Sequence, residues 1–166
     1  MIRRFGIVAA ISMLAVALVA SVALAGSPHF IKNATSASLS GSNLVVKFKE
    51  AGLPSGATET IQSSATATTT YECVNNGGHN PSASNKTTTV TQVSQTGTFT
   101  ANKNGNLVGS QTLSPPTAQQ LGFSCPAGQT VTFVGVSYSN VIVQDLTSGA
   151  SFAIPGTYTY TNPSAP

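Results

Sequence analysis

His79, Asp145 and the many serines are the residues of this chain that could support hydrolytic chemistry. In a catalytic triad, histidine takes the proton of a serine hydroxyl, and aspartate orients the imidazole. The sequence contains no Gly-x-Ser-x-Gly turn, which presents the serine in one large class of hydrolases. A single loop histidine is more often solvated. We therefore predict no catalytic residue and keep a hydrolase only as an alternative.

The histidine lies in a segment that is dense in turn-forming residues, YECVNNGGHNPSASNK. Adjacent glycines adopt positive backbone angles without steric cost, and asparagine side chains bond to nearby backbone in turns. One interpretation is a long connection between two strands. The other is a ligand loop, because binding residues favour loops on a rigid scaffold and asparagine bonds adaptably. Its candidate residues are Asn75, Asn76, His79 and Asn80.

The acidic residues give little support for a metal site. Zinc takes about four nitrogen, sulfur or carboxylate ligands, and calcium prefers clustered carboxylates. Glu59 and Glu72 are thirteen positions apart in one strand-like region, which places them on opposite sides of an unbroken strand. Solvated surface positions are expected for both. With Glu50 and Asp145 also scattered along the sequence, we predict no metal and no cofactor.

The two cysteines, Cys73 and Cys125, are the pair most easily interpreted. Their spacing is not that of a Cys-x-x-Cys redox motif, and an even number of cysteines in an exported chain favours a structural disulfide. We predict one intramolecular bond between them. In the chain-entropy model, closing a loop of this length stabilises the fold by about 4 kcal/mol.

Tyr158 and Tyr160 share one side of a short C-terminal strand pattern. A tyrosine ring offers a flat apolar face with a polar tip, so the pair is a candidate stacking platform for a sugar. Packing against the sheet or covering its edge is the alternative, and the absence of tryptophan favours it.

An export signal precedes the elements that would position these residues. Arg3 and Arg4 are followed by an apolar run that ends in Ala-Leu-Ala, which is typical of a cleaved secretory signal. An uncleaved membrane anchor is the alternative. The predicted organisation is a signal peptide over 1–25, a lead-in over 26–33, a β-sandwich domain over 34–162 and a tail over 163–166.

Charge is scarce once the signal is removed. The full chain has a net charge of +3, and two of its seven cations are the leader arginines. Five lysines then face four acids, too few and too dispersed for binding the phosphates of a nucleic acid. We therefore expect no nucleic-acid partner, and no stable membrane anchor after cleavage.

Alternation of apolar and polar residues predicts strands along the whole remaining chain. Leu44, Val46 and Phe48 alternate with Val45, Lys47 and Lys49, which predicts one buried and one solvated face. The Thr/Ala-rich region 58–74 predicts one long strand, or two strands with a bend at Ser63-Ser64, and its small alanines suggest a closely facing sheet. In the next strand region, 87–100, Val90 is out of phase, which suggests a bulge.

Turn signals separate these strands at regular intervals. Asn104-Gly105 is a strong hairpin signal and predicts that 107–113 returns beside 87–100. Thr147-Ser148-Gly149 predicts a second hairpin. Seven or eight short strands without helical periodicity predict an all-β fold, an antiparallel immunoglobulin-like β-sandwich with one disulfide.

Several segments together carry a resemblance: CVNNGGHNPSASNKTT, GTFTANKNGNL, FSCPAGQTVTF, VSYSNVIVQDLTSG and IPGTYTY. Across nearly all of the chain after the leader, the sequence resembles small secreted β-rich proteins of actinobacteria, a group to which no activity is assigned. The resemblance implies export, and it carries no catalytic or binding residue across.

The sequence therefore predicts a secreted, extracellular and non-enzymatic protein. The first hypothesis is a β-sandwich that acts in extracellular binding or as a structural component, with polysaccharide, cell wall or protein as partner. The alternative is a carbohydrate- or cell-wall-binding module, and a hydrolase is the third. The oligomeric state stays open.

Overall fold

The computed structural model describes residues 26–75 and 85–165, and this part of the chain is all-β apart from a 3-10 turn at Lys32–Ala34. Within it there are nine strands, where the sequence predicted seven or eight: β1 (His29–Phe30), β2 (Ser36–Ser40), β3 (Asn43–Ala51), β4 (Thr58–Asn75), β5 (Lys86–Thr100), β6 (Leu107–Leu113), β7 (Gln129–Asp145), β8 (Ser151–Ile154) and β9 (Tyr158–Thr161). The first strand lies inside the predicted lead-in, 26–33. The predicted signal peptide, 1–25, lies outside the described residues.

The strands form two antiparallel sheets. In the first, β3 pairs with β6 on one edge, while β1 and β2 share its other edge. In the second, the order is β5-β4-β7, and β8 and β9 share the outer edge of β7. Both arrangements keep a long central strand paired along most of its length, so few backbone groups of β3, β4 and β7 lack partners.

The two sheets pack face to face around one apolar core. Side chains alternate between the faces of a strand, so Leu44, Val46 and Phe48 of β3 point to the second sheet. Ala65 and Ala67 are fully buried, and their small side chains permit the close approach that the sequence predicted. The largest fully buried side chains are Tyr138, Phe48, Leu44, Ile61, Leu107 and Leu113.

Two irregularities in the pairing of β7 with β4 explain why apolar residues occupy both odd and even positions in the sequence of β7. The register with β4 shifts between Thr70 and Tyr71 and again between Ser64 and Thr66. At the second shift, Asn140 adopts a left-handed conformation with φ of 51°. A bulge of this kind inserts an extra residue and resets which face the following side chains occupy.

The long Thr/Ala region is one 18-residue strand without a break at Ser63-Ser64. Its pairing with β5 is continuous from Thr58 to Glu72, so the bulge suggested by Val90 is absent from this pairing. Val90 instead lies on the outer face and is 65% exposed. The out-of-phase valine was therefore a solvent-facing residue, which the sequence pattern alone did not distinguish from a bulge.

The predicted hairpin between β5 and β6 is wrong, because the two strands belong to different sheets. The Asn-Gly turn is present, and Gly105 has φ of 69°. Backbone hydrogen bonds hold this turn against the β3–β4 connection: Leu53 donates to Gly105, and Ala101 donates to Ala57. The turn therefore carries the chain from one sheet to the other, and β6 pairs with β3.

The hairpin predicted at Thr147-Ser148-Gly149 is confirmed by the register of β7 with β8, and β2 and β3 also form a hairpin. The disulfide is confirmed as well: Cys73 and Cys125 are bonded, with their Cα atoms 5.6 Å apart. It attaches the end of β4 to the loop that enters β7. Among the described residues, no helix is long and apolar enough to cross a membrane.

Candidate binding surface

The outer face of the five-stranded sheet is an almost uncharged array of hydroxyl and amide side chains, here called the hydroxyl face. It arises because every second residue of the Thr-rich strands points away from the core. The hydroxyl face consists of Gln62, Ser64, Thr66, Thr68 and Thr70 of β4, Thr88, Val90, Gln92, Ser94 and Thr96 of β5, Gly135, Ser137, Ser139, Ile142 and Gln144 of β7, and Thr159 and Thr161 of β9.

The strand registers arrange these side chains in rows that run across the sheet. One row contains Thr88, Thr70, Gly135 and Thr161, in the order β5, β4, β7 and β9. The neighbouring row contains Val90, Thr68, Ser137 and Thr159. Neighbouring strands lie about 5 Å apart, and rows follow one another roughly every 7 Å along a strand. The hydroxyls therefore form a regular lattice.

Many of these polar groups are already paired with one another. Thr70 and Thr88 share a hydroxyl–hydroxyl hydrogen bond of 3.0 Å, and so do Ser137 and Thr159. Gln92 Nε2 donates to the Thr66 hydroxyl at 3.0 Å. Such pairs fix the rotamers of exposed side chains, which reduces the entropy that a ligand would have to remove on binding.

A shallow groove of about 210 Å³ crosses the hydroxyl face at Gly135. Thr68 and Thr70 line one side of it, and Thr159 and Thr161 line the other. Glycine is required at this position because a Cβ atom would lie 2.5 Å from the carbonyl oxygen of Tyr160 in β9. The missing side chain leaves a floor of backbone between walls that carry hydroxyl groups.

Among the residues that the structure describes, charged side chains lie at one end of the hydroxyl face. Glu72 and Lys86 are directly opposite each other on β4 and β5, with Nζ and Oε2 3.9 Å apart. They are opposite in sign, so together they add no net charge. A ligand that suits this surface is therefore uncharged and rich in hydrogen-bonding groups.

Tyr158 and Tyr160 do not lie on the hydroxyl face. Their register partners are Tyr138 and Val136, which point into the core, and both tyrosines are half-buried against that core. The ring of Tyr160 stacks on Phe133, with centroids 6.2 Å apart and an interplanar angle of 16°. The two tyrosines thus pack against the sheet, which was the alternative to a stacking platform for a sugar.

Tyr158 also lines a separate groove of about 270 Å³, where β8 and β9 meet β2 and the 3-10 turn. Its hydroxyl donates to the carbonyl oxygen of Pro155 at 3.0 Å. Phe152 and Ile154 form the apolar part of the lining. Another open groove, of about 380 Å³, follows the free edge of β5 between Thr91 and Gln95.

The candidate ligand loop is only partly described. Asn76, His79 and Asn80 lie outside the described residues. Asn75 ends β4, is exposed, and accepts a 2.9 Å hydrogen bond from Nε2 of Gln129. It is therefore held in the sheet by a neighbouring side chain.

The expected surface position of Glu59 is wrong, and so is that of Glu72. Glu59 lies on the inner side of β4 and is 5% exposed, while Glu72 lies on the outer side and is 8% exposed. They are on opposite sides of the strand, as their spacing predicted. The register partner of Glu59 is Phe99 of β5, and those of Glu72 are Lys86 of β5 and Thr132 of β7.

Glu59 belongs to a cluster of three buried carboxyl groups, here called the carboxyl cluster: Glu50, Glu59 and Asp145. Sequence reasoning treated these acids as scattered. The alternation in the sequence could have indicated their burial, because residues two positions apart share a face of a strand. Each acid lies two positions from a buried apolar residue: Glu50 after Phe48, Glu59 before Ile61, and Asp145 after Val143. The described residues contain no group of three or more histidine, cysteine or acidic side chains arranged to hold a metal ion.

Asp145, the aspartate that a hydrolytic triad would need, is fully buried and faces the interior. One of its oxygens accepts the backbone N–H of Thr147 at 2.8 Å. Its environment is thus formed by the β7–β8 turn and by the two glutamates.

No family model, no curated protein and no solved structure matches this chain.

Proposed function

We propose that this is a secreted, non-catalytic β-sandwich protein that binds an uncharged extracellular polymer through its hydroxyl face. The observation that carries the proposal is the regular lattice of threonine and serine hydroxyls with a groove at Gly135. A polymer with repeating hydroxyl or amide groups can form many weak hydrogen bonds to such a lattice. Each is worth little alone, and their number provides the affinity.

The exposed apolar residues of the hydroxyl face support a polysaccharide as the polymer. Val90 is 65% exposed in the row that contains Thr68, and Ile142 is 39% exposed in the row that contains Ser64. Sugar rings present both C–H groups and hydroxyls, so a surface that mixes isolated aliphatic groups with hydroxyls suits them. The proposed class of function is therefore a carbohydrate- or cell-wall-binding module.

We further propose an immunoglobulin-like topology for the sandwich. If β2, β3 and β6 correspond to strands A, B and E of that fold, then β4, β7 and β8 correspond to C, F and G. In this correspondence β5 extends the second sheet beyond C. The disulfide differs from that of antibody domains, because Cys73 ends β4 and Cys125 precedes β7, whereas antibody domains link B to F.

Secretion and the relationship to small secreted proteins of actinobacteria are part of the same proposal. The disulfide supports an oxidising location, because such bonds persist outside the cytosol. An extracellular location would also give the hydroxyl face access to wall polymers.

The test is retention of the purified protein on insoluble neutral polysaccharides and on isolated cell walls. The variant replaces Thr68, Thr70 and Thr159 with valine, which preserves shape and strand propensity but removes three hydroxyls from the groove walls. The matched control is Thr112→Val, which removes an exposed hydroxyl from the other sheet.

We expect retention of the wild type and of Thr112→Val, and at least a tenfold weaker retention of the triple variant. Equal retention of all three proteins would show that the hydroxyl face is not the binding surface. Retention of none of them on any neutral polymer would contradict the polysaccharide as ligand.

A further inference from the structure

The carboxyl cluster brings together three acidic side chains from three different strands at one end of the sandwich. Glu50 comes from the end of β3, Glu59 from the start of β4 and Asp145 from the end of β7. Glu50 and Asp145 are completely buried, and Glu59 is 5% exposed. The cluster therefore joins the first sheet to the second at a place that water hardly reaches.

The available donors satisfy only part of this cluster. The hydroxyl of Ser148 donates to Oε1 of Glu50 at 3.4 Å, and the N–H of Thr147 donates to Oδ1 of Asp145 at 2.8 Å. The other oxygen of each carboxyl group, Oε2 of Glu50, Oε2 of Glu59 and Oδ2 of Asp145, is buried and receives no bond from an N–H or hydroxyl group.

The carboxyl groups nevertheless lie close enough to act on one another, because the carboxyl group of Asp145 raises the pKa of Glu50 and of Glu59. A hydrogen bond between two carboxyl groups requires a proton on one of them. Three ionised carboxylates in such a site would repel one another and would lose their hydration. The site must therefore bind a proton or another cation.

Within the described part of the chain, the groups around Glu50 include no side-chain cation. Its partners in the neighbouring strands are Phe30 of β1 and Leu107 of β6. The groups that face it from the second sheet are Asp145, Glu59 and the Ser148 hydroxyl. The ion pair found among the described residues joins Lys86 to Glu72, and Glu72 lies on the opposite side of β4 from the carboxyl cluster.

Lys47 and Lys49 precede Glu50 in the same strand. They alternate with the buried residues and point to the outer face. His29 follows the same alternation in β1, where it is exposed and its neighbour Phe30 is buried. The positive charges closest in sequence and register are therefore directed away from the carboxyl cluster.

We propose that Glu50, Asp145 and Glu59 form a proton-sharing cluster that fastens the β7–β8 turn to the rest of the sandwich in acidic surroundings and loosens it when the proton is lost. The turn depends on this cluster, because Thr147 bonds to Asp145 and Ser148 bonds to Glu50. The N–H of Thr60 also bonds to the Thr147 hydroxyl at 3.1 Å, which links the turn to β4.

The electrostatics agree with this geometry. Burial, and then the charge of Asp145, raise the pKa of Glu50 from an ordinary value of 4.5 to about 7. Burial and Asp145 also raise the pKa of Glu59. The pKa of Glu50 is higher in the folded state than in the unfolded state. The protonated Glu50 therefore contributes fully to the free energy of unfolding below pH 4.5, and this contribution is lost as the pH rises to about 7.

The experiment measures the unfolding equilibrium of the purified protein in urea between pH 5 and pH 9 at constant ionic strength. The reference protein carries His29→Gln and His79→Gln, so that no imidazole side chain contributes to the pH dependence. We expect its unfolding equilibrium constant to rise on the order of a hundredfold from pH 5 to pH 8.

Glu50→Gln in the same background keeps a neutral donor at this position, and its unfolding equilibrium constant should rise clearly less over that range. Glu59 is then the remaining glutamate of the carboxyl cluster whose pKa is raised. The matched control is Glu72→Gln, which alters a glutamate on the opposite face of β4 and should leave the pH dependence unchanged. A Glu50→Gln protein that keeps the full pH dependence would overturn the proposal.

A second measurement does not depend on the folding of the variant. The chain has three glutamates, so NMR of glutamate carboxyl carbons in the reference protein gives three signals, and Glu72→Gln identifies one. One of the other two should titrate near neutral pH. Titration of both signals at the usual acidic pH of a glutamate would overturn the proposal. Full restoration of stability at pH 8 by added calcium ions would overturn it as well, because that result would identify a cation site instead.

Discussion

The hydroxyl of Ser63 donates a 2.7 Å hydrogen bond to Oε1 of Gln111, and this bond connects the two sheets inside the core. Ser63 is fully buried in β4, and Gln111 is 6% exposed in β6. Nε2 of Gln111 completes the bridge by donating to the carbonyl oxygen of Ile61 at 3.0 Å. A polar contact inside the apolar interior thus specifies how β6 sits over β4.

We expect Ser63→Ala to lower the free energy of unfolding by about 1–3 kcal/mol, because Oε1 of Gln111 would lose its buried donor. Urea denaturation measures this loss. Ser64→Ala is the control, since Ser64 is on the outer face of the same strand and should change stability little. A double variant with Gln111→Leu should be less destabilised than the sum of the two single variants, and simple additivity would contradict the bridge.

Removal of the disulfide should destabilise the protein strongly. The bond between Cys73 and Cys125 spans 52 residues, and losing it through Cys73→Ser should lower stability by about 4 kcal/mol in the chain-entropy model. The melting temperature without reductant measures the effect. Thiol labelling of the unfolded, unreduced wild type should find no free cysteine, and labelling of both cysteines would show that the bond is not formed.

Asp145→Asn should reduce the destabilisation at alkaline pH. An asparagine keeps an oxygen for the Thr147 N–H and adds an N–H that can donate to Glu50 or Glu59 in place of the shared proton. Relative to the wild type, we expect higher stability at pH 8 and a smaller change between pH 5 and pH 8. Urea midpoints at the two pH values check this, and a variant that is less stable than the wild type at pH 8 would contradict it.

Gly135→Ala should displace β9 from β7. A Cβ atom at this position would lie 2.5 Å from the carbonyl oxygen of Tyr160, and the backbone must move to relieve that contact. We expect a loss of about 1–3 kcal/mol, as for overpacking in a core. Ser139→Ala is the control, because Ser139 lies on the same face of β7 but outside the pairing with β9. Hydrogen exchange of the β9 amides should increase in Gly135→Ala alone.

Local patterns predicted the elements whose information lies within a few residues. The alternation of Leu44, Val46 and Phe48 correctly identified the buried side of β3, because side-chain direction in a strand follows from the backbone itself. The β7–β8 turn was predicted for the same reason. Neither prediction required knowledge of a distant partner.

The Asn-Gly turn at Gly105 shows what such local patterns do not predict. The dipeptide specifies a tight turn, but it does not specify whether the two flanking strands pair with each other. That choice depends on contacts with the β3–β4 connection, where Leu53 bonds to Gly105. These residues are some fifty positions apart, so no local pattern contains the choice.

The sequence by itself determined the strand-rich character, the alternation of faces and the cysteine pairing, because backbone geometry and cysteine count act within short segments or on a single pair. Tertiary structure alone decided that β6 joins β3, and that Glu50, Glu59 and Asp145 meet in the interior. Acidic residues in a sequence suggest solvent exposure. The burial of these three follows from the pairing of strands far apart in the chain, which brings their ends to one place.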